Sequence, residues 1–311
     1  MSSNNIKYLQ QKEINKQAWN RCIDAAANGL IYAYSFYLDA MADHWDALVL
    51  DDYQAVMPLP WRKTFGIYYL YQPFLTAQLG LFGNKINADL LENFLQNIPS
   101  KFKLWEFPLN QKNICQLDHF NLYQRTNYVL NLDQPYEVLF KNYRENIKRN
   151  IKKCFQYGCY VKRDIDVSKI IELNKLQAKG VSEKEYQNFS QLYQLLKKKN
   201  AAKSYGVYSK QNELLASCVF IFSHKRAYYI FVGNHPNGRT LGASHALIDA
   251  FIKDHAAKEL WLDFEGSDVR NLAFFYSSFG AKEEMYSAIQ MDRLPWYIKW
   301  MKKELHLQVE A

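Results

Sequence analysis

Tyr228-Tyr229-Ile230-Phe231-Val232, then Gly233-Asn234-His235-Pro236-Asn237-Gly238, then Arg239-Thr240-Leu241-Gly242-Ala243-Ser244: this stretch decides how the chain is read. The five apolar residues predict a buried strand, and the cluster of Gly, Asn and Pro that follows predicts a turn. From Ser244 the apolar residues Leu247, Ile248, Phe251 and Ile252 recur at helical spacing, so a helix is expected over 244–257. A strand that feeds a glycine-containing turn into a helix leaves unpaired backbone N–H groups at the turn, an arrangement suited to a pyrophosphate. A second strand, 260–264, and the run Tyr276-Ser277-Ser278-Phe279-Gly280 follow.

The first half of the chain echoes this unit. Tyr68-Tyr69-Leu70-Tyr71 precedes Leu79-Gly80 and then Leu104-Trp105-Glu106-Phe107, as Tyr228-Tyr229-Ile230-Phe231 precedes Leu241-Gly242 and Leu260-Trp261-Leu262-Asp263-Phe264. An apolar strand stands before each copy, at 55–59 and 217–222. The order strand, strand, glycine turn, helix, strand therefore occurs twice, offset by about 160 residues. Two domains are expected, 1–126 and 127–311, which agrees with a length of 311 residues.

Bulk properties bound the rest. Hydrophobic residues make up 49% and charged residues 23%, enough to bury a core. No apolar run reaches the roughly 18 residues of a membrane span. The first 17 residues lack the apolar centre of a signal peptide, so a cytoplasmic protein is expected. Five scattered cysteines form no C-x-x-C pair, and the seven histidines show no ligand spacing, so no metal is expected. A net charge of +8 fits an anionic partner or, more plainly, lysines on solvated helix faces.

The first half reads as helices over 11–27, 35–42 and 88–97 with strands over 46–50, 53–60, 66–72 and 102–107. After a strand at 128–132, one helix is expected from Pro135 to Tyr157, with Leu139, Tyr143, Ile147, Ile151 and Cys154 as its buried stripe and Gly158 as its stop. Arg144, Lys148, Arg149, Lys152 and Lys153 line its other faces. Such a ladder grips phosphates, including RNA, or is simply solvated, and Glu145 at i−4 from Arg149 favours the latter. Helices over 167–179 and 183–199, strands over 203–208, 214–222 and 227–232, a helix over 268–278, a strand over 283–291 and a last helix over 295–303 complete the reading.

These residues and this order resemble the GNAT acyltransferase fold, in the doubled form of Fem-like and related two-domain acetyltransferases. The resemblance rests on the basic helix 143–153, on Asp263-Phe264-Glu265-Gly266 and on Phe275-Tyr276-Ser277-Ser278-Phe279-Gly280. It implies an α+β chain of two tandem GNAT-like domains, each a mixed, mostly antiparallel sheet flanked by helices. Arg239-Thr240-Leu241-Gly242-Ala243-Ser244 is similar to the family's Q/R-x-x-G-x-G/A pattern and departs from it at Ser244. Tyr276, four residues before Gly280, is similar in spacing to the tyrosine that protonates the departing thiolate, although Asn271 stands closer to it than the family's asparagine does.

By that resemblance the chain is an N-acyltransferase using acetyl-CoA or another acyl-CoA as cosubstrate. Phe231, Val232, Gly233, Arg239, Gly242, Ala243 and Ser244 would hold the donor, with backbone N–H groups near 231–233 facing the oxyanion. Tyr276 would be the acid and Glu265 the base, with Asp263 second to it; salt-bridged structural roles are the plainer alternative for both carboxylates. The first domain, whose Gln78-Leu79-Gly80 lacks the pattern, would wall an acceptor cleft with Gln72 and Gln78, helped by Tyr71 and Trp61. The acceptor would be an amine of a small molecule, an amino sugar or a peptide. Fem-like transferases that take aminoacyl groups from tRNA for cell-wall precursors are the alternative; they usually carry a lysine where Tyr276 stands. A catalytically silent scaffold is the third reading.

Overall fold

A computed structural model of the chain describes residues 5–266, 268–296 and 299. The chain divides into two compact units, one formed by Met1–Arg125 with Met285–Ala311 and the other by Thr126–Glu284. From Met285 the chain therefore belongs with the first unit, whereas the domain expected from sequence ran on to 311. The cause is a strand pairing described below.

The first unit contains β1 (Ile6–Leu9), α1 (Lys16–Ala25), α2 (Ser35–Met41), β2 (His44–Leu50), β3 (Ala55–Thr64), β4 (Ile67–Leu70), β5 (Phe82–Gly83), α3 (Ala88–Gln96) and β6 (Phe102–Pro108). β7 (Leu122–Asn131) leads into the second unit, which adds α4 (Tyr136–Lys141), α5 (Glu145–Gln156), β8 (Tyr160–Arg163), α6 (Val167–Lys175), α7 (Glu183–Lys198), β9 (Ala202–Tyr208), β10 (Leu214–Ser223), β11 (Arg226–Asn234), α8 (Pro236–Leu241), α9 (Ala243–His255), β12 (Trp261–Asp263) and α10 (Arg270–Ser277). β13 (Lys282–Asp292) follows. The helix expected over 295–303 lies largely outside the described residues.

In the first unit β1, β2, β3 and β4 form an antiparallel meander, and β4 then pairs in parallel with β6 across the α3 connection. Residues 288–292 of β13 pair antiparallel with β6, which is why the chain returns to this unit. Leu48, Met57, Phe94, Phe102 and Trp105 fill its core. The second unit repeats the plan. β8, β9, β10 and β11 run antiparallel, and β11 pairs in parallel with β12, which pairs antiparallel with β7. Both units are mixed, mostly antiparallel sheets with helices, as expected.

Three local departures matter for function. The helix expected from 135 to 157 is two helices: Tyr143 turns into the core, and the Arg144 N–H donates to the Ser278 carbonyl at 2.9 Å instead of continuing the helix. The buried stripe from Leu139 to Cys154 survives the break. The turn expected over 233–238 is largely α8, started by Pro236 in its first turn and capped by His235. Gly242, at φ +75°, separates α8 from α9.

β11 also carries a bulge. Phe231 pairs with Val219 and Tyr229 with Phe220, so Ile230 is an extra residue. An extra residue reverses the alternation of faces. Tyr229 and Val232 therefore look the same way, toward α9, while the Phe231 ring packs 4.3 Å from Phe189 of α7 on the other face.

Candidate active site

β11 and β12 pair only over Arg226–Trp261, Ala227–Leu262 and Tyr228–Asp263. Beyond Asp263 the chain turns toward β7, where the Phe264 N–H donates to the Tyr128 carbonyl at 3.0 Å. The left-handed residues Glu265 (φ +63°) and Gly266 (φ +84°) complete the turn. The edge of β11 from Tyr229 onward is thus left without β12. There a pocket of about 810 Å³ opens within the second unit.

Tyr229, Val232 and Asn234 of β11 form one wall. His235, Pro236, Gly238 and Arg239 of the α8 segment form another, joined by Ser244 and His245 of α9. Asn271, Leu272, Phe275 and Tyr276 of α10 close it, together with Leu176 and Gln177 just after α6. The lining holds one guanidinium, two imidazoles, amides and hydroxyls, but no carboxylate.

The backbone at Val232 is decisive for chemistry. Its carbonyl accepts from Asn174 Nδ2 at 2.7 Å and Gln177 Nε2 at 3.4 Å, so it points away from β10. In a strand the N–H and C=O of one residue point to the same side. The Val232 N–H therefore faces the open edge.

Tyr276 is buried, its ring stacked 4.6 Å from Phe264 and set edge-on 6.4 Å from Tyr229. Burial pushes its phenol well above the ordinary tyrosine value, and the charge of Glu265 pushes it further. Its hydroxyl therefore stays protonated in the neutral range. His245 stands edge-on to Phe275 at 5.0 Å, and burial holds its imidazole down to about 4. With Asn150 Nδ2 donating to its Nε2 at 3.2 Å, the proton of this neutral ring sits on Nδ1. Ser244 Oγ donates to Asn234 Oδ1 at 2.8 Å, and Arg239 is exposed at the pocket.

Of the residues expected to hold a donor, the structure brings Val232, Arg239 and Ser244 into this pocket, facing Tyr276. Phe231, Gly233, Gly242 and Ala243 do not line it. Gly233 is a glycine because α6 lies close: a Cβ there would meet Ser217 Oγ at 2.9 Å and the Ile170 carbonyl at 3.0 Å. At Gly242 a Cβ would meet the Asn150 carbonyl at 2.7 Å, and Ala243 is fully buried in the core. Asp263 is buried in an ion-pair network, 2.7 Å from Arg226 Nη1, with Asn127 Nδ2 donating at 2.9 Å and the Glu265 N–H at 2.8 Å. Arg226 also pairs with Glu284. Glu265 sits in the turn after β12, outside the lining. Gln72 and Gln78 lie in the first unit and serve its loops: Gln72 Nε2 donates to the Thr76 carbonyl, and buried Gln78 accepts from the Gln111 N–H.

Residues 141–270 match the family model described as an acetyltransferase (GNAT) domain. Over that stretch the chain is similar to a GNAT domain. No curated protein matches the sequence. Among solved structures, FemX superposes with a TM-score of 0.62 at 12% identity, covering 98% of this chain and 100% of its own. A tandem GNAT protein from the clavulanic acid biosynthesis pathway gives 0.55 at 8% identity, covering 94% and 99%. The C-terminal domain of a putative lysylphosphatidylglycerol synthetase from Agrobacterium fabrum gives 0.54 at 8%, covering 94% and 98%. At such identities the likeness is one of fold, a fold shared over most of both chains with a tandem GNAT protein.

The matched GNAT domain ends at Arg270, so Asn271 to Tyr276 rest on geometry alone. His245, Phe275, Tyr229 and Leu176 escaped the sequence reading. Tyr229 was recoverable only by seeing the bulge at Ile230. Gly238 left a clearer signal, a second glycine in the loop; a Cβ there would lie 2.2 Å from the Leu215 carbonyl.

Proposed function

We propose that this pocket binds the acyl donor of an N-acyltransferase, that the donor is an acyl thioester of coenzyme A, and that the acceptor is an amine. The observation that carries the reading is the Val232 backbone on the open edge of β11, in one pocket with Tyr276 and Arg239. The residues present fit such a donor: the Arg239 guanidinium suits a phosphate, and the strand edge at the Val232 N–H suits a chain of amide groups.

In the reaction the amine lone pair attacks the thioester carbonyl carbon. A C–N bond forms, and negative charge gathers on the carbonyl oxygen, where the Val232 N–H donates. The C–S bond then breaks, and the Tyr276 hydroxyl supplies the proton that the sulfur takes. Glu265, which lies outside the lining, is the proposed acceptor of the amine's proton through a relayed water. Asp263 is unsuited to that role, since Arg226, Asn127 and the Glu265 N–H occupy its oxygens.

A second reading has one observation behind it. Arg149 and Lys152 of α5 are exposed on the helix whose Asn150 abuts Gly242, so an aminoacyl donor carried on tRNA has cations available. Calorimetric titration with acetyl-CoA separates the two. Micromolar binding, weakened about tenfold or more in Arg239→Ala, supports the thioester. Absence of acetyl-CoA binding, together with tRNA binding that falls steeply with salt, moves the assignment to an RNA-borne donor.

A further inference from the structure

The apolar part of this pocket is larger than an acetyl group needs. Leu176 and Leu272 both line it and remain 69% and 44% exposed. Elsewhere on α10, Phe274 is 53% exposed, and Val269 at its cap is 59% exposed. Scattered exposed apolar residues are ordinary, but exposed apolar side chains that line one pocket mark a binding surface. Inside, Val232, Phe275 and Tyr229 extend it toward Tyr276. The same pocket carries the exposed Arg239 guanidinium and no carboxylate, and Arg144 lies over the Phe274 ring at 4.6 Å. Its charge therefore favours an anion and disfavours a polyamine.

We infer that the pocket takes an amphiphile, with a phosphate-bearing head at Arg239 and an aliphatic chain longer than acetyl over Leu176, Leu272 and Phe275. The inference rests on the reading of this pocket as a donor site and names the class of donor. Two molecules share the required chemistry: a coenzyme A thioester of a medium or long acyl chain, and an anionic phospholipid. A two-carbon acyl group leaves Leu176 and Leu272 in water, whereas each added methylene laid on them gains affinity until the surface is covered.

Titration calorimetry of the intact protein tests this with acetyl-CoA, octanoyl-CoA and dioctanoyl phosphatidic acid, the last kept below micelle-forming concentration. Octanoyl-CoA is expected to bind about tenfold or more tightly than acetyl-CoA. In Leu176→Ser/Leu272→Ser that ratio should fall to about threefold or less; both side chains are exposed, so the fold should tolerate the change. Equal affinity for the two thioesters overturns the inference and leaves the donor reading standing. Binding of phosphatidic acid with neither thioester bound supports the amphiphile through its lipid source and removes the thioester donor. Silence from all three ligands overturns both.

Discussion

Tyr276 is the side chain on which the proposed chemistry turns. Its ring is fixed between Phe264 and Tyr229, yet among the described residues its hydroxyl makes no hydrogen bond, so removing that oxygen costs the fold little. Tyr276→Phe should lower the acyl-transfer rate about 100-fold or more while leaving donor affinity and thermal midpoint nearly unchanged. An unchanged rate in steady-state assays would reduce Tyr276 to a packing residue. This tyrosine was legible because a phenol four residues before Gly280 is a local pattern. His245 was not, because its environment comes from Asn150 and Phe275, distant in sequence. Asp263 follows the plainer of its two readings. A carboxylate at a strand end suggests catalysis, but its partner Arg226 lies 37 positions away and holds it as a structural ion.

At the level of elements, the site depends on two irregularities that periodicity hides. Strict alternation along β11 puts Tyr229 with Phe231, whereas the bulge at Ile230 puts it with Val232 and so builds the pocket wall. The apolar content of the strand was readable; the extra residue was not, because it depends on register with β10. Gly242 was readable as a special glycine, but its reason differs from phosphate approach. It holds φ +75° where α8 meets α9, with the Asn150 carbonyl of α5 where a Cβ would sit. Gly242→Ala should therefore cost about 1–3 kcal/mol in chemical denaturation. It should also raise amide exchange in α5 and α9 before any effect on ligand affinity is resolved. If the variant is as stable as the parent, with only donor binding lost, the glycine serves the phosphate after all.

The whole molecule shows the repeat in its topology. Each unit sets an antiparallel hairpin, β3–β4 or β10–β11, beside a parallel partner reached through a helical connection, β6 or β12. The aromatic echoes were legible because these strands are buried on both faces; β1, β5 and β8 were missed because two to four residues carry too little periodicity. Global stability depends on pH through histidines that the fold keeps neutral. His245, and His255 at the end of α9, are both held down to about 4, chiefly by burial. The unfolded chain takes up protons at these sites near pH 6.5, and the folded protein does so only near 4. Their contribution is thus fully present above pH 6.5 and is lost as the pH falls toward 4. Asp249 and Asp263, whose values burial raises, act in the opposite sense, and the two histidines take their effect between pH 7 and 5. Over that window the unfolding free energy should drop by about 2–4 kcal/mol, read from denaturant midpoints at constant salt. His245→Asn/His255→Gln is expected to flatten the profile whatever its absolute stability, because the slope counts protons and not contacts. A flat profile in the parent protein would mean that both imidazoles titrate as they do in water, and that the pocket around His245 is wetter than its packing indicates.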